Sequence, residues 1–213
     1  MNDELHHYID SLLPGRDSFI TDMEKFAKDN GVPIMETVGI EALLQFLRIQ
    51  QPNNILEIGT AIGYSSLRMA KALPKANIVT IERDEIRYTQ AIQYIEQAGY
   101  SDRIQLIFGD ALETVHQVGQ LGPFDAIFID AAKGQYTKFF ELYTDFLRPN
   151  GVVYTDNVLF KGLVTKELIE KKRIRSLVRK IQTYNEWLMN HSTFHTTILP
   201  VGDGLAVSIK RGE

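Results

Sequence analysis

Short apolar runs alternate with amphipathic stretches over most of this chain, and the alternation itself predicts a fold class. From Asn53 onward, five runs read as strands: Asn54 to Ile58, Asn77 to Ile81, Ile104 to Phe108, Phe124 to Ile129 and Val152 to Thr155. Each is followed by small or polar residues and then by helix-like periodicity, the pattern of a parallel sheet covered by helices. Two more runs, Phe194 to Val201 and Leu205 to Lys210, flank Gly202-Asp203-Gly204, a Gly/Asp connection that predicts an antiparallel hairpin. The expected architecture is α/β, with a seven-stranded, mostly parallel sheet that ends in an antiparallel C-terminal pair.

Three amphipathic stretches precede the first strand: Asp3 to Leu13, Ser18 to Asn30 and Glu36 to Gln50. Pro14-Gly15 ends the first, and Gly31 with Pro33 beyond ends the second. They predict a helical cap over residues 1–50 on the sheet's open edge, with an α/β core over residues 51–213. No repeat, low-complexity tract or long linker divides the 213 residues, so one domain is expected. Leu5, Ile9, Leu12 and Leu13 form an apolar stripe on the first helix. That stripe suggests a homodimer, although packing on its own chain gives the same pattern.

Composition narrows the chemistry. With no cysteine, disulfides, thiolate metal sites and thiol nucleophiles all drop out, in keeping with a reducing cytoplasm. The stretch Met1 to Asp10 is polar and no apolar run approaches the roughly 18 residues of a membrane span, so a soluble, cytoplasmic protein without a membrane partner is expected. The formal charge of -4, from 23 Lys plus Arg against 27 Asp plus Glu, excludes a uniformly basic coat for nucleic acid.

The candidate chemistry sits at the strand ends. The first strand runs into Glu57-Ile58-Gly59-Thr60-Ala61-Ile62-Gly63-Tyr64-Ser65, in which an acid precedes two glycines spaced four apart. Glycine permits a sharp turn and a close approach of backbone to ligand, as at Gly59 and Gly63. This is not the G-x-G-x-x-G of dinucleotide sites: a carboxylate here repels phosphate and welcomes a cationic ligand. The other reading is a structural strand-to-helix turn. Glu82 ends the second strand roughly 20 residues on, where α/β nucleoside sites place an acid for ribose hydroxyls. Asp110-Ala111 follows the third strand, suited to an adenine edge, to an N-cap for a helix over Ala111 to Gly119, or to both. Asp130 and Asp156-Asn157 end the fourth and fifth strands. They offer two carboxylates and an amide oxygen to a hard divalent cation such as Mg2+, with loop capping as the alternative. None of the five histidines has metal-ligand spacing.

Taken in order, EIGTAIGYSS, IERD, GDA, IDAAK, YTDN and PVGDG resemble the cation-dependent, S-adenosylmethionine-using O-methyltransferases of the catechol and caffeoyl-coenzyme A type. The resemblance spans about Met35 to the C-terminus and leans to the branch that methylates 5-hydroxyuridine in bacterial tRNA. It implies a Rossmann-like class I methyltransferase fold. It also implies that Glu57, Gly59, Thr60 and Ser65 hold the methionine part of the cofactor. Glu82 would then bind the ribose, Asp110 and Ala111 would flank the adenine, and Met35 would touch the cofactor from the cap. Asp130, Asp156 and Asn157 would bind Mg2+, with Asp130 also near the cofactor, and Lys133 would be the general base.

Both catechols and 5-hydroxyuridine present adjacent oxygens, so the choice of acceptor turns to charge. Lys161 to Lys180 holds eight basic and two acidic residues, a local balance of +6, against 15 basic and 25 acidic residues elsewhere. A basic helix here, with Lys161, Lys171, Lys172, Arg173 and Arg175, would meet the phosphates of a tRNA anticodon region. The alternative is a solvated helix face over a buried stripe of Ile169, Leu177, Ile181 and Tyr184. A small catechol-like acceptor and a coenzyme A thioester are the rival substrates, and a non-catalytic RNA-binding partner is the rival class.

Overall fold

The computed structural model describes residues 3–212. Three helices, α1 (Asp3–Leu12), α2 (Ser18–Asn30) and α3 (Thr37–Gln50), lead into β1 (Asn54–Ile58), α4 (Tyr64–Ala72), β2 (Asn77–Glu82), α5 (Glu85–Gln97) and β3 (Ile104–Phe108). Then come α6 (Val115–Gly119), β4 (Phe124–Ile129), α7 (Tyr136–Thr144), β5 (Leu147–Thr155), α8 (Lys172–Met189), β6 (Phe194–Leu199) and β7 (Leu205–Lys210). The seven strands form one sheet in the order β3-β2-β1-β4-β5-β7-β6. β1 to β5 pair in parallel, while β7 runs antiparallel to both β5 and β6. This is the α/β sheet with an antiparallel C-terminal pair that the apolar runs predicted.

The runs are continuous because both faces of the sheet are covered. Ile55, Ile78, Ala126, Phe128 and Tyr154 point into one core with α2, α3 and α4, whereas Leu56, Val79, Ile127, Ile129 and Val153 point into a second core with α7 and α8. A period of two thus divides each strand between two apolar layers. No helix among the described residues is long and apolar enough to cross a membrane.

Four expectations change. The N-terminal helices cover a face of the sheet, not its open edge: α3 buries Ile40, Leu43, Leu44 and Leu47, and Gln50 Nε2 donates to the Asp125 carbonyl of β4 at 2.7 Å. In α1, Leu5 and Leu12 are exposed, so the apolar stripe does not pack fully on its own chain. β5 begins at Leu147 instead of Val152, because Leu147 already pairs with Phe124 before a register shift in β4. β6 stops at Leu199, since Pro200 has no N–H to continue the ladder.

Parallel register brings the strand ends into one row. Gly59 N and Thr60 N both donate to the Ile81 carbonyl at 3.1 Å, Asp130 N to Ile58 at 3.0 Å, Asp156 N to Ile129 at 3.0 Å and Gly109 N to Glu82 at 2.9 Å. The residues singled out at strand ends are therefore neighbours before any side chain is considered.

Candidate active site

The turn after β1 is built on Gly59. Its φ of +103° lies outside the range of L side chains, and a Cβ there would sit 2.1 Å from the Asp130 carbonyl oxygen. Gly63 has φ +85° and opens α4; a Cβ there would make only ordinary contact, 3.5 Å from the Ala91 Cβ. The need for glycine at 63 is thus conformational, whereas at 59 it is also steric.

Behind this turn lies a buried hydroxyl network. Glu57 is 0% exposed and accepts hydrogen bonds from Ser65 Oγ, Ser66 Oγ and Thr80 Oγ1, the last at 2.6 Å. Thr60 Oγ1 lies 2.6 Å from Thr80 Oγ1, which already donates to Glu57, so Thr60 donates to Thr80. Burial pushes the Glu57 carboxyl up from 4.5 to about 7, against the pull of its three hydroxyl donors. Glu57 does not line the cavity in front of it, and neither does Gly63. Both act one layer back, Glu57 by orienting Ser65 and Gly63 by starting α4.

The cavity has a volume of about 370 Å³ and runs along the strand ends. Met35, Gly59, Thr60, Ser65, Glu82, Asp110, Ala111, Asp130, Lys133 and Asn157 all line it, so most of the residues named from sequence converge on one space. Glu82 is fixed by backbone amides: Ala61 N donates to Oε2 at 2.7 Å, and Arg83 N and Asp84 N donate to Oε1 at 2.9 Å. Asp110 Oδ1 accepts from Leu112 N at 2.9 Å, and Oδ2 pairs with Arg83 at 3.1 Å. The Leu112 amide and then Arg83 hold its carboxyl below the usual range, two donors outweighing partial burial. Asp110 caps a turn, not the expected helix from Ala111, because α6 begins only at Val115 behind Thr114. Pro33, Ile34, Arg83, Arg87, Gln135 and Phe139 also line the cavity and were not singled out from sequence. Only Arg83, next to Glu82, carried a local signal.

At the other end of the cavity stands the oxygen set, of which Asp130 and Asn157 line the cavity and Asp156 lies behind them. Asp156 is 2% exposed, and its carboxyl is pushed well above the usual range by burial and then by Asp130. Burial raises Asp130 as well, with Lys133 pulling it back and Asp203 pushing it up. Asn157 Nδ2 donates to Asp156 Oδ2 at 2.8 Å, and its Oδ1 accepts from Lys133 Nζ. Two carboxylates crowded at low exposure beside an amide oxygen are a donor set that suits a hard divalent cation, which would relieve their mutual repulsion. Among the described residues no group of three or more His, Cys, Asp or Glu is arranged to hold a metal ion, so a cation here depends on the Asn157 oxygen.

The basic segment is only partly a helix. A kinked 3-10 turn covers Phe160–Thr165 and residues 166–171 are irregular, which leaves Ile169 outside the helical stripe, and α8 buries Val178, Ile181, Tyr184 and Leu188. On its flank, Lys172, Arg175, Arg179 and Lys180 line a groove of about 540 Å³ that Lys133 and Tyr136 close on the other side. Lys161, Lys171 and Arg173 do not line it; Arg179 and Lys180 do.

Comparison with known proteins agrees with this arrangement. A family model described as O-methyltransferase matches residues 15–211. A catechol O-methyltransferase from Niastella koreensis is 32% identical over 97% of this chain and 96% of its own length. A Staphylococcus aureus crystal structure, provisionally designated a caffeoyl-CoA O-methyltransferase, superposes with a TM-score of 0.87 at 39% identity, covering 97% of this chain and 96% of that one. An O-methyltransferase from Bacillus cereus, solved in complex with SAH, gives a TM-score of 0.83 at 28% identity, covering 98% and 97% of the two chains.

Proposed function

This chain belongs to the O-methyltransferase family and is an S-adenosylmethionine-dependent O-methyltransferase of the catechol and caffeoyl-CoA type. From that premise we propose that it methylates one of two adjacent oxygens on a catechol-like acceptor, free or as a coenzyme A thioester, with the help of Mg2+. The observation that carries the proposal is the meeting of Lys133, Asn157 and Asp130 at one end of the cavity whose other walls carry Glu82 and Asp110.

S-adenosylmethionine brings an electrophilic sulfonium methyl, and a bound divalent cation supplies Lewis acidity at an acceptor oxygen. The chain's residues do the rest. Ser65, oriented by Glu57, and the turn at Gly59 and Thr60 would hold the amino-acid end of the cofactor, Glu82 would take the ribose hydroxyls, and Asp110 and Ala111 would flank the adenine, with Met35 on the same cavity wall. Asp130, Asp156 and Asn157 would hold the cation. Lys133, whose Nζ donates to Asn157 Oδ1 while that oxygen is not engaged by a cation, would be free on cation binding to take the acceptor's hydroxyl proton on Nζ. No covalent enzyme intermediate is required, so the rate comes from alignment and electrostatics.

A second reading, methylation of 5-hydroxyuridine in a tRNA anticodon region, is favoured by the basic groove. Four cations from α8 face Lys133 across it, a setting for phosphates that a bare catechol would not use. The relatives named above favour the first reading, since none of the three bears a tRNA-modifying name. Transfer of labelled methyl to catechol, to caffeoyl-CoA and to tRNA lacking the modification, each with Mg2+ and with excess chelator, separates the two. Transfer to catechol or caffeoyl-CoA alone rejects the tRNA reading, transfer to tRNA alone rejects the first, and full activity in chelator rejects the cation.

A further inference from the structure

The Gly202-Asp203-Gly204 turn between β6 and β7 has entered so far only through the Asp203 charge that pushes Asp130 up, yet it is built against the site. Asp203 is 8% exposed, and both glycines are left-handed, with φ of +54° and +91°. A Cβ on Gly204 would lie 2.4 Å from the Leu159 Cγ and 2.7 Å from the Leu159 N, so the turn touches the segment that follows Asn157. Three hydrogen bonds join the two: Val158 N to the Gly204 carbonyl at 3.1 Å, Leu159 N to the Asp203 carbonyl at 3.0 Å, and Lys161 N to Asp203 Oδ1.

What this clamp holds is strained. Phe160, Lys161 and Gly162 are left-handed in succession, with φ of 45°, 54° and 73°, and two of them are not glycine. Such backbone persists where its surroundings over-determine it, and it gathers at functional positions. Its product here is specific: the Phe160 ring centroid lies 5.9 Å from Lys133 Nζ, the group that also donates to Asn157 Oδ1. A ring face at that distance attracts an ammonium and limits where it can point.

We propose that Asp203 is a positioning residue: by accepting the Lys161 N–H it holds the left-handed turn that sets the Phe160 ring beside Lys133 Nζ. The proposal rests on reading Lys133 as the proton acceptor. The side chain acts through its acceptor oxygen, so an amide at 203 serves and a methyl group does not.

The test uses full-length protein carrying 13Cε-labelled lysine, in which the Lys133 methylene resonance feels the ring current of Phe160 whether or not an acceptor is known. Phe160→Leu moves that resonance, Asp203→Ala moves it to the same place, and Asp203→Asn leaves it where the parent has it. Turnover on catechol and on unmodified tRNA follows the resonance: about tenfold lower kcat for Asp203→Ala and Phe160→Leu, no further loss in the double variant, and near-parent kcat for Asp203→Asn, with S-adenosylhomocysteine affinity within twofold throughout. A resonance unmoved by Asp203→Ala, an Asp203→Asn variant as impaired as Asp203→Ala, or losses that multiply in the double variant would overturn the proposal. Should Asp203→Ala not fold, a Phe160→Leu variant with parent resonance or parent kcat overturns it equally. A parent protein inactive on catechol, caffeoyl-CoA and unmodified tRNA alike refutes the acceptor assignments alone, because the resonance still decides the role of Asp203.

Discussion

Replacing Gly59 by alanine perturbs the cofactor turn and the oxygen set at once. The new Cβ would lie 2.1 Å from the Asp130 carbonyl oxygen, 2.8 Å from its carbon and 3.2 Å from the Ala131 Cα. All three atoms belong to or adjoin backbone, so no side chain can swing aside, and β1 must part from β4 by more than about 1 Å to reach ordinary contact. Adopting φ of +103° strains alanine by on the order of 1–3 kcal/mol. Overpacking adds about 1–3 kcal/mol and a weakened strand-end hydrogen bond about 1 kcal/mol. The expected destabilisation is on the order of 3–7 kcal/mol, a large part of the roughly 5–15 kcal/mol that holds a domain together. Gly63→Ala is the internal control: it has the positive φ without the clash, and about 1–2 kcal/mol is expected. Urea unfolding followed by circular dichroism measures both, and titration calorimetry with S-adenosylhomocysteine measures the cavity, where Gly59→Ala loses at least tenfold in affinity. A loss below about 1 kcal/mol at unchanged m-value, or equal losses for the two variants, refutes the steric argument.

Three further outcomes are expected. Lys133→Ala lowers kcat by about 100-fold or more while S-adenosylhomocysteine affinity stays within twofold, and a variant that keeps parent turnover removes Lys133 from the chemistry. Because burial raises the folded-state pKa of Glu57 from 4.5 to about 7, its favourable contribution is complete below the unfolded value and is lost as pH rises through about 7, on the order of 3 kcal/mol in all. Glu57→Gln therefore flattens the fall in urea stability between pH 5 and pH 8, and an unchanged slope contradicts the assignment. Reversing Arg175 and Arg179 to Glu raises KM for caffeoyl-CoA or tRNA several-fold and flattens its salt dependence while catechol turnover holds; equal effects on all three acceptors deny the groove a role in acceptor binding.

What the sequence disclosed follows from where information is local. An apolar run buried on both faces and ended by an acid marks both a strand and the spot where its tip faces the crevice. Asp130 and Asp156 could therefore be placed before the sheet order was known. Side-chain depth is not local in that way. Glu57 stands only two residues before Gly59, but it lies inside β1, where Ser65 and Ser66 of α4 cover it, while Gly59 lies past the strand end in the turn that lines the cavity. The basic segment departs from its helical spacing for a related reason: Lys161 sits in a kinked 3-10 turn and the α-helix begins only at Lys172, so charges counted together do not share a face. Asp203 lay in a motif legible only as a hairpin turn, since its partner, the Lys161 amide, is 42 residues away and carries no side-chain signal.

The contact between Gly59 and Asp130 also bears on how one scaffold serves different acceptors. The walls proposed for the cofactor and for the reacting oxygen meet at backbone, fixed by Gly59 N to Ile81 and Asp130 N to Ile58 in neighbouring strands. Methyl donor and acceptor oxygen must be aligned to a fraction of an ångström for transfer, and rigid strand ends supply that better than loops. On the proposed reading, acceptor recognition then falls to a part outside the row, the cationic flank of α8. Substitutions in that flank should change which molecule is methylated without moving the sheet, whereas Gly59→Ala moves the sheet and should depress transfer to every acceptor alike. Measuring kcat/KM for the Gly59→Ala and Arg175→Glu variants on catechol and on caffeoyl-CoA tests that division directly: the ratio between acceptors stays constant in the first and shifts in the second, and a constant ratio in both places acceptor choice in the strand row itself.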